Sequence, residues 1–348
     1  MNEALLPRFS SKPRGGEGVE LLVTNRDKNG FDASGNWFIT VFSLRGRAVP
    51  VVPLLSYYLY SIAIVTVLML GFRKQFVDCE GQGCLVESLT VPVSFIGSAL
   101  FFLLVFRTNS SYDRWWEGRN LWANIMSTCR NLGRQAAVLI TDKHLARELI
   151  QWTMAFPVIL AAHLRGEKST AVLDGAEMTQ NDISNILNAE HMPLYVLMRI
   201  TTILRICVKR NLLSDFQLTM LDENLASFQS YIAGVERIMK TPMPFAYVAH
   251  LRSFMVLWLA ALPFALIHDL RWVVIPICIV IGFAIMGIEA IGVEIENPFG
   301  RDFNDLPLDT LVRKCIENLT QMLDFLESRP PPIDTTIVEP EGDVLCED

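Results

Sequence analysis

Residues 91–106 read VPVSFIGSALFFLLVF, and this stretch decides the class of fold. It lies within a longer charge-free run, Ser88–Phe106. That run is nearly as long as the roughly 20 helical residues that cross the hydrocarbon core of a bilayer. One further charge-free run, Ala48–Phe72, precedes it, and two apolar runs, Ser253–Leu266 and Trp272–Ile288, follow it. The sequence therefore predicts an all-α membrane protein with four transmembrane helices.

The overall composition agrees with a membrane protein and excludes several other classes. Of the 348 residues, 51% are hydrophobic and 19% are charged, whereas about a quarter of the residues in a soluble domain carry charge. The formal net charge is −7 and the chain has no long basic stripe, so we expect no nucleic-acid partner. A disordered chain and a disulfide-dense secreted module both have different compositions.

Basic residues near the helix ends predict the orientation in the membrane. They are frequent before the first helix and after the second, whereas the loop between these helices contains only Arg73 and Lys74. We therefore expect both termini and the middle region on the cytoplasmic side, or on the equivalent stromal side. A plasma membrane, a bacterial inner membrane and a plastid thylakoid membrane all fit this orientation.

The distribution of charge divides the chain into six parts. In the polar middle region apolar residues repeat at intervals of three and four, as at Ile183, Ile186 and Leu187, which indicates helices. The predicted parts are an N-terminal cytoplasmic segment (1–47), transmembrane helices 1 and 2 (48–106, the second being 88–106), a cytoplasmic helical region (107–252), transmembrane helices 3 and 4 (253–292), an acidic box with a C-terminal helix (293–328) and a Pro-rich, disordered tail (329–348).

Three motifs are more specific than composition. They read FRTNSSYDRWWEGR at residues 106–119, GVERIMKTPMP at 234–244 and EIENPFGRDFNDLPLD at 294–309. In this order and around four membrane helices, they resemble the bestrophin family, and their sequences are most similar to its bacterial, algal and plant branch. The resemblance extends over roughly residues 36–325. It implies a homopentameric channel that conducts chloride or other monovalent anions, with bicarbonate and nitrate among those that some members pass.

The resemblance also implies that five copies of the second helix line a narrow pore neck. The matching positions are Val91, Phe95 and Ala99, whose spacing of four places them on one helical face. A ring of apolar side chains repels water and can gate by dewetting, and aromatic ring edges carry partial positive charge that favours anions. Ala99 is small, which predicts a wide lower neck. The alternative is that all three face lipid or neighbouring helices.

Arg107 and Arg114 follow the second helix, where the neck would open towards the cytoplasm. One interpretation is that they steer anions to the mouth of the pore. The other is that they anchor the helix and pair with Asp113 and Glu117, which are neighbours on one helical face.

The resemblance places a second constriction at the vestibule exit, and counting back from Pro244 points to Phe216 or Leu218. A plain core position is the alternative for either residue. We interpret the neighbouring Glu236 and Arg237 as a structural ion pair rather than as part of a filter.

The third motif supplies oxygen ligands in a short turn. By resemblance to the calcium clasp of animal bestrophins, the possible metal ligands are Glu294, Asn297, Asp302 and Asp305, and calcium is the one cofactor that the sequence suggests. Arg301 departs from the animal pattern because it brings a positive charge next to the ion. The alternative is that the two aspartates cap a helix that starts near residue 307.

Other functions have less support. The motifs HExxH, GxSxG and the P-loop are missing from the sequence, and the five histidines are scattered along it, so we expect no enzyme. A secondary transporter would usually contain inverted repeats, which we do not detect. A cation-selective channel remains the main alternative, because neither Val91 nor Phe95 decides the sign of the permeating charge. Cys79 and Cys84 share one loop, and the sequence leaves open whether they are bridged.

Overall fold

The computed structural model describes residues 50–78, 85–168 and 178–328, and all regular structure within these ranges is helical. The predicted N-terminal segment 1–47, the tail 329–348 and the pair Cys79 and Cys84 lie outside the described residues.

Ten α-helices follow one another along the described chain. The turn between the eighth and ninth is a short 3-10 helix, Arg271–Val273. The α-helices are α1 (Val51–Leu70), α2 (Arg73–Phe76), α3 (Leu85–Leu139), α4 (Lys143–Arg165), α5 (Gln180–Asn188), α6 (Met192–Lys209), α7 (Asp215–Lys240), α8 (Phe245–Leu270), α9 (Val274–Glu294) and α10 (Leu308–Glu327).

Four segments are long and apolar enough to cross a membrane: Val51–Leu70, Leu89–Leu139, Lys143–Arg165 and Asp215–Glu294. In Lys143–Arg165, which is α4, 78% of the most apolar stretch is buried inside the protein, against 17% to 28% in the others. A helix that faces lipid exposes its apolar side chains, so we assign α4 to a protein core. The last segment contains both α8 and α9. The membrane helices are therefore α1, the first part of α3, α8 and α9, and the predicted all-α fold with four such helices is confirmed.

The second membrane helix does not end where its charge-free run ends. Helix α3 has 55 residues, which corresponds to a length of about 80 Å, and it continues past Phe106 into the polar region. The expected boundary between residues 106 and 107 thus falls within one unbroken helix. Helix α8 also begins earlier than its apolar run, at Phe245 directly after Pro244.

Buried apolar residues form two separate cores. The membrane core joins α1, the first part of α3, α8 and α9, with Leu100 and Leu104 among its most buried members. The second core lies apart from the membrane helices, and we call it the inner core. It joins the second part of α3 with α4, α6, α7 and α10. Within this core the rings of Phe156 and Phe228 lie 4.4 Å apart, and Trp122 of α3 is completely buried. The chain therefore has a membrane part and an inner part, connected by α3.

Local signals in the sequence explain where the inner helices begin and end. Asp142 accepts hydrogen bonds from the first backbone amides of α4, and Gly166 ends this helix at φ 67°, a conformation that glycine adopts without strain. Ser214 and Gln217 form a capping box at the start of α7. These caps fix the short connections and hence the positions of the side chains at the helix ends.

Candidate functional site

The first part of α3 has one packed face and one open face. On the packed face Trp258 of α8 donates a hydrogen bond to the carbonyl oxygen of Val93 at 2.8 Å. A Cβ atom at Gly97 would lie 3.0 Å from the same indole, so the close approach of the two helices requires a residue without a side chain there. Leu100 and Leu104 continue this face into the membrane core.

The three expected neck residues lie on the open face of α3. Val91, Phe95 and Ala99 are all exposed, and the Phe95 side chain is 74% accessible. Further along the helix, Phe102 and Phe106 are exposed as well. The result is an apolar stripe on a membrane helix that nothing in the described part of the chain covers.

Arg107 points into the protein. Its side chain is 2% exposed, and its Nη2 atom lies 3.5 Å from Glu296 Oε2 and 3.9 Å from Glu289 Oε1. Glu289 also accepts a hydrogen bond from Nε of Arg252 at 2.8 Å. The guanidinium thus belongs to an internal charge network between α3, α8 and α9. The interpretation that Arg107 forms ion pairs agrees with this geometry. The predicted partners, Asp113 and Glu117, were wrong, because Arg107 pairs with Glu289 and Glu296 instead.

Arg114 connects α3 to the end of α7. Its Nη1 donates to the carbonyl oxygen of Thr241 at 2.7 Å, its Nη2 to that of Ile238 at 2.5 Å and its Nε to that of Glu296 at 3.0 Å. Since the carbonyl end of a helix carries partial negative charge, this arginine stabilises the α7 terminus. All three nitrogen positions of the Arg114 guanidinium donate to backbone carbonyl oxygens, so the anchoring interpretation agrees with this geometry, and anion steering by Arg114 stays a prediction.

The two candidates for the vestibule constriction have different environments. Phe216, in the first turn of α7, is 75% exposed, whereas Leu218 packs against the inner core. Of the two, Phe216 has the side chain that is free to narrow an opening, and Leu218 fits the core alternative.

The expected ion pair between Glu236 and Arg237 does not form. Glu236 contacts His163, His191 and Lys240, and Arg237 pairs with Glu117 of α3. The prediction was wrong because consecutive helical residues point about 100° apart and do not face each other.

The acidic box does bring its four predicted residues together. Glu294, Asn297, Asp302 and Asp305 line one pocket at the end of α9. Glu294 Oε1 accepts a hydrogen bond from Asn304 Nδ2 at 2.9 Å. The guanidinium of Arg301 pairs with Glu167 at 2.7 Å, so its positive charge is matched by a carboxylate outside the set of four.

Asp305 organises the turn before α10. Its Oδ2 accepts a hydrogen bond from the backbone amide of Asp302 at 2.7 Å, and a Cβ atom at Gly300 would meet this oxygen at 2.7 Å. Helix α10 begins at Leu308 with Pro307 at its N-cap and without a side-chain cap. The capping alternative was therefore wrong, since the two aspartates shape the preceding turn instead.

The donor set of the pocket suits a hard cation. Three carboxylates and one amide supply oxygen atoms, which Ca²⁺ prefers, although Ca²⁺ takes six to eight such ligands. Two of the carboxylate oxygens already accept hydrogen bonds. Carbonyl oxygens or water would have to complete the coordination.

Two of the histidines that are far apart in the sequence lie close together in the structure. The side chains of His163, His191 and Glu236 lie close enough together to hold a metal ion. Among the described residues, this is the one group of three His, Cys, Asp or Glu side chains with that spacing. Sequence reasoning missed this group because its members lie far apart in the chain and follow none of the usual ligand spacings.

Comparison with known proteins gives a consistent result. A family model described as Bacterial/Fungal Bestrophin protein matches residues 30–321. A voltage-dependent anion channel-forming protein of Nostoc sp. is 34% identical over 308 residues, which cover 83% of this chain and 94% of the relative. The voltage-dependent anion channel-forming protein YneE of Escherichia coli (strain K12) is 30% identical, with 84% of this chain and 93% of YneE covered.

A solved structure has the same fold. The crystal structure of a bacterial bestrophin homologue from Klebsiella pneumoniae matches with a TM-score of 0.71 at 27% sequence identity. The match covers 79% of this chain and 98% of that chain.

Proposed function

The chain belongs to the bestrophin family, in its bacterial and fungal branch, and from this membership we propose that it is a membrane channel for monovalent anions such as chloride. The names of the relatives support anion conduction. The observation that carries the proposal is the open apolar face of α3, which contains Val91, Phe95 and Ala99.

The proposed pore is formed by five copies of the chain around one axis. An apolar stripe on a membrane helix must be covered by lipid, by another protein surface or by the same stripe of a second copy. Around an axis, five α3 helices would bring five Phe95 side chains into one ring and five Val91 side chains into another. Such rings repel water, so the neck conducts or closes according to its width.

Selectivity in this proposal comes from the apolar ring rather than from arginine charge. Both Arg107 and Arg114 are engaged inside the subunit, and residues 88–106 contain no charged side chain. An anion that passes the neck would meet the positive edges of the Phe95 rings. The small Ala99 leaves the lower end of the neck wide.

Calcium is proposed as a ligand of the acidic box. Glu294, Asn297, Asp302 and Asp305 would hold it through oxygen atoms, and the ion would tie the end of α9 to the turn before α10. Titration of the purified protein with Ca²⁺ should raise its thermal stability, and Asp302→Asn should abolish this increase. An equal response in the variant would contradict the calcium site.

The part of the chain outside the bilayer is proposed to face the cytoplasm or an equivalent compartment. The integral membrane helices α1, α8 and α9 and the first part of α3 fix its position next to the membrane, and the basic residues at their ends indicate its side. Reporter fusions at the two termini would test this orientation.

Cysteine scanning tests the neck in the channel itself. Val91→Cys and Phe95→Cys should make the current sensitive to a charged, water-soluble thiol reagent, because a modified side chain would block the narrow ring. Leu257→Cys is the matched control, since this α8 side chain is 69% exposed but lies on a different membrane helix. Equal sensitivity in control and neck variants, or none in the neck variants, would contradict the proposed neck.

A further inference from the structure

Two imidazole rings and one carboxylate converge in the inner part of the molecule. His163 lies in the last turn of α4, His191 directly precedes α6, and Glu236 lies in the last turns of α7. His163 Nε2 is 2.7 Å from Glu236 Oε1, and His191 Nε2 is 3.0 Å from the same oxygen. The two imidazole rings are 4.8 Å apart between centroids.

We propose that His163, His191 and Glu236 form a binding site for a divalent transition metal, with Zn²⁺ as the ion that fits best. Two imidazole nitrogens and one carboxylate oxygen are a donor set that zinc uses when it keeps a fourth position open for water. Calcium and magnesium are disfavoured here, because they prefer sites built from oxygen alone.

The distances are close to those that zinc needs. Tetrahedral bonds of 2.0–2.2 Å place neighbouring ligand atoms about 3.3 Å apart, and all three candidate ligand atoms lie within 4.8 Å of one another. The present contacts of 2.7 and 3.0 Å to Glu236 would open by a few tenths of an ångström to admit the ion, and the two imidazole nitrogens, which lie within 4.8 Å of each other, would take up the same spacing of about 3.3 Å. The three side chains are only partly buried, so an ion can reach them.

The surroundings of Glu236 suit a metal ligand. Its second oxygen, Oε2, pairs with Lys240 Nζ at 3.1 Å, which orients the carboxylate. Burial, the largest influence, raises the pKa of Glu236, but the hydrogen bonds from His163 and Lys240 and the positive charges nearby lower it further, so that the net pKa is below its usual value. The carboxylate is therefore ionised at neutral pH, as metal ligation requires.

Metal binding would replace one helix cap. His191 Nδ1 accepts a hydrogen bond from the backbone amide of Leu194 at 3.2 Å, so the proton of the neutral ring resides on Nε2. Ligation through Nε2 moves this proton to Nδ1 and releases the cap of α6. In exchange the ion connects α4, α6 and α7, three helices of the inner core.

The site does not depend on the proposed channel function, because its three residues belong to neither the neck nor the acidic box. Its predicted effect is on the stability of the inner core. A ligand that binds only the folded state raises thermal stability in proportion to the logarithm of its concentration over Kd.

The test uses the detergent-purified, full-length protein after treatment with a chelator. Calorimetric titration with Zn²⁺ should give one strong site per subunit and a rise in unfolding temperature. Co²⁺ as a probe should give the intense visible absorption of a four-coordinate site. X-ray absorption at the zinc edge of the wild-type protein should show two imidazole ligands.

The variants separate this site from adventitious binding. His191→Asn removes the imidazole but keeps an acceptor suited to the helix cap, and Glu236→Gln keeps the shape of the side chain without its charge. Each should weaken Zn²⁺ binding by more than the 10-fold to 100-fold that loss of an outer-shell partner typically costs. His144→Asn is the matched control, since His144 is an exposed histidine on the same helix as His163, and it should leave binding unchanged. Equal Zn²⁺ affinity in all variants, or a zinc-edge spectrum without imidazole, would overturn the proposal.

Discussion

The two halves of helix α3 form one continuous helix but expose opposite kinds of surface. In the membrane half the apolar side chains of Val91 and Phe95 point outward, whereas in the inner half those of Trp122, Ile125 and Leu132 are completely buried. The difference shows that the burial of an apolar side chain has a different meaning in the two halves of α3. In the inner half it reports a folded core, and in the membrane half the exposed apolar side chains mark the surface on which the proposed neck would lie.

The junction between the halves is polar and lies inside the protein. Arg107 and Arg114 satisfy carboxylates and carbonyl oxygens of α7 and of the segment around Glu296. They connect the membrane part to the inner part by contacts that belong to neither core. Substitutions in the two halves and at the junction should therefore have separable effects.

The largest expected effect is on the inner half. Trp122→Ala removes a completely buried side chain and should lower the free energy of unfolding by about 3–5 kcal/mol. Trp116→Ala, on the same helix but with a half-exposed side chain, is the matched control. Unfolding by denaturant in detergent would measure both, and equal losses would contradict the burial of Trp122 in the inner core.

The second-largest loss of stability is expected at the junction, where Arg107 is buried. Arg107→Met leaves Glu289 and Glu296 without their buried positive partner, which typically costs about 3 kcal/mol or more. Arg73→Met breaks the exposed pair with Asp78 and should cost about 1 kcal/mol or less. Thermal unfolding of the two variants distinguishes them. If Arg107→Met were as stable as Arg73→Met, the junction would not hold the two parts together.

A smaller effect should depend on pH. The pKa of Glu236 is lower in the folded protein than the usual glutamate value of about 4.3. The ionised carboxylate therefore stabilises the folded protein at pH values above the usual glutamate pKa. This stabilisation is lost as the pH falls below the usual pKa and passes through the lower pKa of the folded state. The stability advantage of the wild type over Glu236→Gln should shrink as the pH falls from about 5 through the usual glutamate value of about 4.3. An advantage that stays constant across this range would show that the carboxylate charge contributes nothing.

The smallest effect on stability should be at the open face. Phe95→Ala should change the free energy of unfolding by only about 0.5 kcal/mol, because Phe95 is 74% exposed in the single chain. Its effect should appear in single-channel conductance, which should rise as the neck widens. A large loss of stability with unchanged conductance would assign Phe95 to a packing role.

Sequence reasoning predicted the features that depend on long runs of one residue type. The charge-free and apolar runs give the four membrane helices, the three motifs together give the family, and the motif at 294–309 gives the residues that line the acidic pocket. The neck at Val91, Phe95 and Ala99, the pentamer, the anion and the calcium site stay predictions.

The features that sequence reasoning missed depend on distant residues. The partners of Arg107 lie more than 180 positions away, so its charge suggested a helix boundary where the helix continues. The cluster of His163, His191 and Glu236 is formed by the packing of α4, α6 and α7 and has no local pattern. Buried charges and converging ligands are thus visible only after the helices have been placed against each other.

The reversal potential tests the central claim most directly. The purified protein would be reconstituted into a planar bilayer under a KCl gradient, with the Phe95→Ala variant recorded beside it. The account predicts a reversal potential close to the chloride equilibrium potential and a larger conductance for the variant. A reversal potential close to that of potassium would contradict anion conduction and would indicate a cation-selective channel with the same fold.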